Sequence, residues 1–442
     1  MNLASIFKRG SRGLRLPENK HHTEKPIEVL PLPQKVIVPL QQNIGSHCVA
    51  TVKKGDKVLT GQIIGNSDDF VSATVHATVS GELSAVTTTL HPAMGHIITS
   101  LVITSDGKDE WVKLDVPYDP KRLSAEEILE KLKDAGVVGM GGATFPTRVK
   151  LLPPPGKNID TLILNGCECE PFITADHRVM LEYGEPVLYG LRVMDKVLQP
   201  DEVYIAIEDN KPDAVEHMQN LVASIPFAAN FKVVSLPSKY PTGAEKTLIK
   251  ILLDREVPIG GLPMDVGVVV HNVATAKAIH DTVFEGKPLI ERVVTVTGAV
   301  NNPKNLLVRI GTPIRDLIDF CGGVKDGANE VILGGPMMGV SQPDLDFPVT
   351  KGTSCVLVKE SKIIHEQGCI SCGNCVEVCP MGLMPTMLAK YSKAGLYEDC
   401  QDYYIGNCFE CGCCTYVCPA NIPLVQYIKV AKKEISRRRA RS

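Results

Sequence analysis

Residues 369–380 read CISCGNCVEVCP, and residues 408–419 read CFECGCCTYVCP. Ten of the fifteen cysteines of the chain lie between Cys369 and Cys418. Both stretches follow the pattern C-x2-C-x2-C-x3-C-P. In this pattern three thiolates of a tight loop bind one 4Fe–4S cluster, and the fourth, which precedes the proline, binds the neighbouring cluster. The repeat therefore predicts two 4Fe–4S clusters near the C-terminus.

The exchange of the fourth cysteine predicts the ligands of each cluster. The predicted ligands of cluster 1 are Cys369, Cys372, Cys375 and Cys418, and those of cluster 2 are Cys408, Cys411, Cys414 and Cys379. Cys413 is left out because its use would break the match between the two runs. Paired C-x2-C motifs also build zinc sites, but two equal runs that each end in Cys-Pro favour iron–sulfur clusters. The 28 residues between Cys379 and Cys408 include the helical pattern MLAKYSKAGLYEDC, which predicts an all-helical ferredoxin domain.

The overall composition limits the class of protein. A chain of 442 residues is expected to form two to four domains. The 47 Lys and Arg residues nearly balance the 50 Asp and Glu residues, which argues against a nucleic-acid binder that relies on a positive field. The chain has no apolar run of about 18 residues and no signal-peptide core, so we expect a protein without a transmembrane segment of its own, in a compartment where thiols stay reduced.

A second site is predicted between about residues 124 and 280. Residues 123–150 read as an amphipathic helix followed by a glycine-rich turn, which alone is better explained as a structural tight turn. The next segment, DTLILNGCECEP, is a strand pattern that ends in the polar side chains Asn165, Glu168 and Glu170. Ligands of open α/β sheets bind at the carboxyl ends of the strands. The two segments together therefore predict a Rossmann-like nucleotide-binding domain.

The same segments resemble a known family. GVVGMGGATFPTRVK and LNGCECEP are similar to the flavin site of the NADH-binding flavoprotein subunit of respiratory complex I. The Ala143-Thr144-Phe145 variant, the C-E-C-E-P string and the two ferredoxin runs resemble the C subunit of the Rnf electron transport complex still more closely. The Rnf complex is a membrane-bound, ion-translocating oxidoreductase between ferredoxin and NAD, and the resemblance covers nearly the whole chain.

This resemblance implies site residues in the positions that match the family motifs. The implied FMN-binding residues are Gly139, Gly141, Gly142, Lys150, Asn165, Glu168, Tyr240, Gly243, Glu245, Asn272 and Thr275. The implied NAD(H)-binding residues are Glu170, near the nicotinamide, and Phe145. Cys167, Ala244 and His271 depart from the complex I motifs, where Asp, Glu and Asn stand. No residue is implied as an acid–base catalyst.

The other segments complete a multidomain α/β and α+β fold. Residues 36–118 are expected to form a biotinyl- or lipoyl-type barrel sandwich, although its hairpin lacks the lysine that a carrier domain would modify. The expected boundaries are an N-terminal arm at 1–35, the sandwich at 36–118, the FMN/NADH domain at 119–288, an SLBB-like β-grasp domain at 289–360, the ferredoxin domain at 361–430 and a basic tail at 431–442.

The resemblance further implies an NADH-linked oxidoreductase subunit that works with two 4Fe–4S clusters and FMN. Its expected partners are the other subunits of a membrane-bound Rnf-type complex, NAD(H) and, indirectly, ferredoxin, with no nucleic acid. Its expected place is the cytoplasmic side of the cell membrane, as a peripheral subunit. Two alternatives stay open: a soluble flavoprotein reductase similar to cobalamin reductases, and a flavin-free iron–sulfur electron relay.

Overall fold

The structure is a computed structural model and describes residues 12–21, 25–90, 95–362 and 364–439. Lys8 and Arg9 of the predicted arm and residues 440–442 of the predicted tail lie outside the described residues. The strands are β1 (Glu28–Val29), β2 (Lys35–Pro39), β3 (Val49–Ala50), β4 (Lys57–Val58), β5 (Ile63–Asn66), β6 (Val75–His76), β7 (Gly81–Leu90), β8 (Ile97–Ser105), β9 (Thr161–Gly166), β10 (Glu202–Glu208), β11 (Phe231–Leu236), β12 (Val268–Asn272), β13 (Glu291–Gly298), β14 (Lys304–Arg309), β15 (Glu330–Leu333), β16 (Val340–Gln342) and β17 (Cys355–Lys359).

The α-helices alternate with strands in the middle of the chain and follow one another near its C-terminus. They are α1 (Ala125–Asp134), α2 (Thr147–Lys150), α3 (Ala175–Glu182), α4 (Gly184–Leu198), α5 (Pro212–Ser224), α6 (Glu245–Leu253), α7 (Val273–Glu285), α8 (Ile314–Phe320), α9 (Asn374–Glu377), α10 (Pro385–Lys393), α11 (Asp399–Asp402), α12 (Cys413–Tyr416) and α13 (Leu424–Arg439).

Two small antiparallel sheets form the N-terminal sandwich. One sheet has the order β2-β8-β7-β4, and the other has the order β3-β5-β6. Alternate residues such as Val36 and Val38 point inward and are fully buried, as expected for strands with one packed face. The sandwich therefore has a hydrophobic core of its own.

The central domain is a three-layer α/β unit. Its sheet has the order β11-β10-β9-β12, and all three strand pairings are parallel. Leu162 and Leu164 of β9 belong to the core on one face of the sheet, where α3, α4 and α7 pack. Ile163 belongs to the core on the other face, against α6. Because both faces are covered, the strands are apolar runs whose polar residues come at their ends.

Helix α1 leads into the glycine-rich turn. Ser124 caps its N-terminus by accepting from the Glu127 backbone N–H, and the Glu127 carboxylate accepts from the Ser124 N–H in return. This capping box and the buried side chains on one face hold the helix against the domain. Just after the helix, Gly136 has a φ of +64°, and a Cβ at this position would lie 2.1 Å from the Thr74 carbonyl oxygen.

The third domain contains a mixed six-stranded sheet with the order β1-β14-β13-β17-β15-β16. Strand β1 comes from the segment predicted as an N-terminal arm, and it pairs in parallel with β14, with Glu28 opposite Leu306. Lys304 also pairs with Glu28, between Nζ and Oε2 at 2.6 Å. The described part of the arm is thus built into the fold rather than extended from it.

The C-terminal domain is helical from α9 onward, as the spacing of the sequence predicts. Its last helix differs from our expectation, since residues 431–439 of the predicted basic tail form the second half of α13. Ile428, Ala431 and Ile435 lie at helical spacing and are buried in the domain core. The sequence did not predict this apolar face, because charged residues outnumber apolar ones in the last turns of the helix.

Candidate functional site

The carboxyl ends of β9 and β12 form one side of the candidate flavin site. Asn165 and Asn272 are register partners at these two strand ends. The Asn272 side chain caps α7 by accepting from the Ala274 N–H at 2.9 Å. Its Nδ2 donates to Asp176 Oδ2 at 2.6 Å. Two predicted contacts therefore lie side by side where an α/β sheet presents its ligand site.

The glycine-rich turn folds over the start of α7. The Gly139 N–H donates to the Phe145 carbonyl oxygen at 2.9 Å, which closes the turn. The Met140 N–H donates to Thr275 Oγ1 at 2.9 Å. A Cβ on Gly141 would lie 2.8 Å from Asn272 Cβ, whereas a Cβ on Gly142 would meet no atom within 4 Å. The backbone approaches Asn272 closely at Gly141, and open space remains beside Gly142.

The segment 240–245 closes another side of the site. Asn165 Nδ2 donates to the Gly243 carbonyl oxygen at 2.9 Å. Lys150 Nζ forms an ion pair with Glu245 Oε1 at 2.5 Å. Gly243 is required here, because a Cβ would lie 2.3 Å from the Cys167 carbonyl oxygen. The structure thus brings together four stretches that are far apart in the sequence: the glycine turn, the end of β9, the segment 240–245 and the end of β12.

The site also contains a polar residue that sequence analysis did not identify. Asp176, on the first turn of α3, accepts from Asn272. Burial raises the pKa of Asp176 to about 7, and the nearby Glu168 carboxylate contributes to this shift. In the sequence, Asp176 resembles an ordinary acidic residue at a helix start. Its position six residues after Glu170 of the C-E-C-E-P string is the only signal that could have pointed to it.

The predicted residues Glu168 and Glu170 are bound by backbone groups. Glu168 Oε1 accepts from the Asp176 N–H at 2.8 Å. Glu170 Oε1 accepts from the Met338 N–H at 2.8 Å, and Oε2 accepts from the Met337 N–H at 3.1 Å. Burial raises the pKa of Glu170 to about 7, although these two hydrogen bonds oppose the shift. Glu170 therefore joins the central domain to the 334–339 turn of the third domain.

Orphaned polar atoms lie next to Lys150. Thr147 Oγ1 and His271 Nε2 are buried and have no hydrogen-bond partner among the described residues. Burial lowers the pKa of His271 well below its ordinary value, and the Lys150 ammonium lowers it further. A buried polar atom without a partner costs free energy unless a ligand or water satisfies it. The open space at Gly142 and these atoms fit a bound polar ligand.

The two cysteine runs adopt one backbone conformation. Ser371 and Glu410, at equivalent positions, have φ values of 56° and 63°. Gly373 and Gly412 follow with φ values of 81° and 78°, and each precedes a short helix, α9 or α12. Left-handed residues at matched positions curl each loop around a common centre. The sequence repeat is thus a structural repeat.

The fourth cysteine of each run lies with the other run. Cys379 packs with Cys408 in one buried cluster of side chains. Cys375 and Cys418 both pack against another cluster, which also contains Cys414. Burial raises the pKa of Cys414 to about 12, and the neighbouring thiols of Cys408, Cys411 and Cys379 contribute to this shift. Burial likewise raises the pKa of Cys375, with added effects from Cys372 and Cys418.

The two groups of cysteines differ in their surroundings. Cys379, Cys411 and Cys414 are buried, with exposures of 7 to 9%. Cys369 and Cys372 are exposed. We call Cys379, Cys408, Cys411 and Cys414 the inner group. We call Cys369, Cys372, Cys375 and Cys418 the outer group. The inner group faces the central domain and the outer group faces solvent.

The inner group contacts the flavin-site segments directly. The Tyr240 hydroxyl donates to the Cys411 carbonyl oxygen at 2.7 Å. A Cβ on Gly412 would lie 2.7 Å from the Met337 carbonyl oxygen, so this loop packs closely on the 334–339 turn. Lys432 of α13 donates from Nζ to the Cys408 carbonyl oxygen at 2.9 Å. The loop is therefore held from both sides.

Cys413 takes a different position from the four inner cysteines. It is fully buried and packs with Tyr240 and Cys411. The hydrogen bond between the Cys413 and Cys411 side chains is the main cause that raises the pKa of Cys413 and lowers that of Cys411. Cys413 thus contacts the part of the loop that packs against Tyr240.

Four family models match successive parts of the chain. They are the RnfC barrel sandwich hybrid domain at residues 8–108, the Nuo51 FMN-binding domain at 132–281, the SLBB domain at 293–341 and the 4Fe-4S dicluster domain at 368–422. The predicted fold class is confirmed by these matches and by the sheets and helices described above. An FMN-binding domain and a 4Fe–4S dicluster domain are both present.

Curated relatives match over nearly the full chain. The C subunit of the proton-translocating ferredoxin:NAD(+) oxidoreductase complex of Clostridium ljungdahlii is 48% identical over 429 residues, which cover 96% of this chain and 93% of that protein. The C subunit of the Na(+)-translocating ferredoxin:NAD(+) oxidoreductase complex of Acetobacterium woodii is 46% identical, with 96% of each covered. The C subunit of the ion-translocating oxidoreductase complex of Pseudomonas aeruginosa is 42% identical over 97% of this chain and 56% of that protein. This chain therefore belongs to the RnfC family, the C subunits of ion-translocating oxidoreductase complexes.

Proposed function

We propose that this chain is the peripheral NADH, FMN and iron–sulfur subunit of a membrane-bound, ion-translocating ferredoxin:NAD oxidoreductase complex, on the cytoplasmic side of the membrane. It transfers electrons between NAD(H) and partner subunits. The full-length relatives support this assignment. Among the described residues, no helix combines the length and apolar composition needed to cross a bilayer.

The observation that carries the proposal is the packing of the inner cysteine loop against the predicted flavin site. Tyr240 belongs to the segment that reaches Asn165 and Lys150 through Gly243 and Glu245. The same Tyr240 contacts the backbone of Cys411. One chain thus holds a candidate flavin site, a buried cysteine group and an exposed cysteine group in that order.

The residues that we propose to hold FMN surround the open space beside Gly142. Gly139, Gly141 and Gly142 supply a turn whose backbone can approach the ligand, and Lys150 supplies a positive charge. The polar side chains of this proposal are Asn165, Glu168, Glu245, Asn272 and Thr275, and the segment 240–245 adds Tyr240 and Gly243. When bound, FMN converts between the two-electron chemistry of a nicotinamide and one-electron chemistry.

The proposed cluster ligands are the outer and inner groups of cysteines. The outer group, Cys369, Cys372, Cys375 and Cys418, would hold cluster 1, and the inner group, Cys408, Cys411, Cys414 and Cys379, would hold cluster 2. Cys418 is among the neighbours that raise the pKa of Cys375, and Cys379 is among those that raise the pKa of Cys414, which supports the exchange of fourth ligands. Four thiolates per site match the ligand set that 4Fe–4S clusters require.

The exposed outer group is the proposed contact with a partner protein of the complex. Ile370, between Cys369 and Cys372 in the sequence, is 68% exposed. An apolar residue at this place can pack against a partner and bring its redox centre near cluster 1. The inner group has no such access. We therefore propose that electrons enter or leave the chain at the outer group and reach the flavin through the inner group.

NAD(H) is proposed to bind beside Phe145 and Glu170. Glu170 lies at the end of the strand-to-helix connection and is held by the Met337 and Met338 N–H groups. Phe145 is half-buried at the edge of the glycine turn, where an aromatic face can contact a planar ligand. Specificity for one nicotinamide cofactor would then depend on residues around this edge.

The test is anaerobic reconstitution of the full chain with iron, sulfide and FMN, followed by addition of NADH. We expect about eight irons and one FMN per chain, with flavin and cluster absorbance both bleached by NADH. Eight irons without flavin, and without a response to NADH, would support a simple electron relay and contradict the proposal. Bleaching of flavin alone would contradict the electron path between the two sites.

A pair of variants tests the flavin site in the same experiment. Lys150→Met removes a charge that pairs with Glu245 at the site, and we expect FMN affinity to fall by about tenfold or more. Lys157→Met is the matched control, because Lys157 pairs with Asp265 instead, at 2.8 Å. Equal FMN retention in both variants would show that Lys150 does not contribute to FMN binding.

A further inference from the structure

Tyr240 connects two parts of the molecule that the proposed function uses. Its side chain is 3% exposed and packs with Cys411, Cys413 and the half-buried Cys169. Its hydroxyl donates to the Cys411 carbonyl oxygen at 2.7 Å. A buried phenol with a well-placed acceptor is held in one orientation.

The backbone of Tyr240 is fixed as firmly as its side chain. The Tyr240 N–H donates to the Leu14 carbonyl oxygen at 2.8 Å, and the Leu14 N–H donates to the Tyr240 carbonyl oxygen at 2.7 Å. On the same N-terminal stretch, Arg12 Nη1 donates to the Val376 carbonyl oxygen at 3.4 Å, in the helix that follows the outer loop. Residues 12–14 therefore tie Tyr240 to the ferredoxin domain from a second side.

The contact belongs to a short connection between the flavin site and the inner group, which is covalent along residues 240–245 and reaches Cys411 through one hydrogen bond. Three residues after Tyr240, Gly243 accepts from Asn165, and five residues after it, Glu245 pairs with Lys150. Any displacement of this segment would move the flavin site and the Cys411 loop together. This segment therefore contributes directly to the distance between the two redox sites.

The hydroxyl also acts on the electrostatics of the inner group. Its hydrogen points toward the Cys411 carbonyl, so the positive end of the O–H dipole faces the loop. A bound cluster becomes more negative when it gains an electron, and hydrogen bonds near its ligands stabilise that state. Removing the dipole should therefore make the reduced cluster less stable and lower its reduction potential.

We infer that Tyr240 is a positioning residue that fixes the inner cysteine group against the flavin site and raises the reduction potential of the cluster that this group holds. The inference rests on the proposed function for the presence of two clusters. It concerns one cluster only, since among the described residues the outer group has no corresponding tyrosine bond to a ligand carbonyl. Because only the inner cluster should change, the inference can be tested by comparing the potentials of the two clusters.

The experiment is a dithionite redox titration of the full chain, followed by electron paramagnetic resonance, for wild type, Tyr240→Phe and Tyr427→Phe. Tyr427 is the matched control because its hydroxyl donates to Glu366, at 2.8 Å, rather than to a ligand loop. A soluble dysprosium chelate identifies the outer cluster, because the exposed cluster relaxes faster in its presence. Iron content is measured for every sample.

We expect Tyr240→Phe to keep the full iron content and to lower the potential of the inner cluster alone. The equilibrium between its reduced and oxidised forms should change by roughly threefold, and Tyr427→Phe should leave the inner cluster unchanged. Dithionite replaces NADH, so the result does not depend on flavin or nicotinamide binding. A wild-type chain without two clusters would count against the proposed function, not against Tyr240.

Other results would overturn the inference. Full iron content with an unchanged inner potential would show that the hydroxyl has no effect on this cluster. An equal shift of both clusters, or of the outer cluster alone, would show a general disturbance. If Tyr240→Phe loses iron, loss of the cluster that the dysprosium chelate does not reach supports the positioning role, and loss of the outer cluster contradicts it.

Discussion

The inner and outer cysteine groups share a sequence pattern and a backbone conformation, yet they lie in opposite environments. Gly373 and Gly412 have nearly equal φ values, but the Gly412 loop packs on Met337 and Tyr240, whereas the loop around Ile370 is exposed. Local sequence thus determines how each loop can bind a cluster. The packing of whole domains decides which loop faces the candidate flavin site and which faces solvent.

The largest expected effect comes from removing one ligand of each group. Cys414→Ala and Cys372→Ala should each lose about four irons. Only Cys414→Ala should also stop NADH from reducing the cluster that remains, because the inner group lies between the flavin site and the outer group. Iron analysis and stopped-flow absorbance after NADH addition measure both effects. Loss of reduction in Cys372→Ala, with retention in Cys414→Ala, would reverse the order of the two groups.

A smaller effect is expected from Glu170, which binds the 334–339 turn on which the inner loop packs. Burial raises its pKa from 4.5 to about 7 in the folded chain, so the folded state holds the proton more tightly than the unfolded state. Its contribution to stability is full below pH 4.5 and is lost as the pH rises through about 7. The size of this contribution is about 3 kcal/mol.

Glu170→Gln should therefore flatten the pH dependence of unfolding between pH 4.5 and about 7. Thermal unfolding of the reconstituted chain at several pH values measures the change. Glu185→Gln, an exposed glutamate at the start of α4, serves as the control. If Glu170→Gln leaves the pH dependence of unfolding unchanged, another buried carboxyl group takes up the proton. Asp176 is the alternative, because burial raises its pKa to about 7 as well.

The smallest effect is expected at Cys413, the one cysteine of the second run without a counterpart in the first. Cys413→Ala should keep all the iron, because the four inner ligands are unchanged. We expect only a loss of about 1 kcal/mol in stability from the missing buried sulfur. Iron content and urea unfolding measure these two properties. Loss of about four irons in this variant would show that Cys413 is a ligand and that Cys414 is not.

Sequence reasoning found most of the candidate site because its signals are local. The cysteine spacing, the glycine turn and the polar ends of β9 and β12 can each be seen within a few residues. Asp176 was missed because its partner Asn272 lies 96 positions away. The apolar face of α13 was missed because arginines dominate its last turn. The contact of Tyr240 with Cys411 spans 171 positions and has no local signature.

The sequence by itself determined the order of the domains, the two cysteine loops and the residue types at the flavin site, since these depend on spacing and on short-range backbone preferences. Only the tertiary structure decided that Cys379 lies beside Cys408, that Tyr240 holds the Cys411 loop and that Ile370 stays exposed. These features depend on which domain surfaces bury each other. That choice arises from the packing of the whole chain, and no single stretch of residues encodes it.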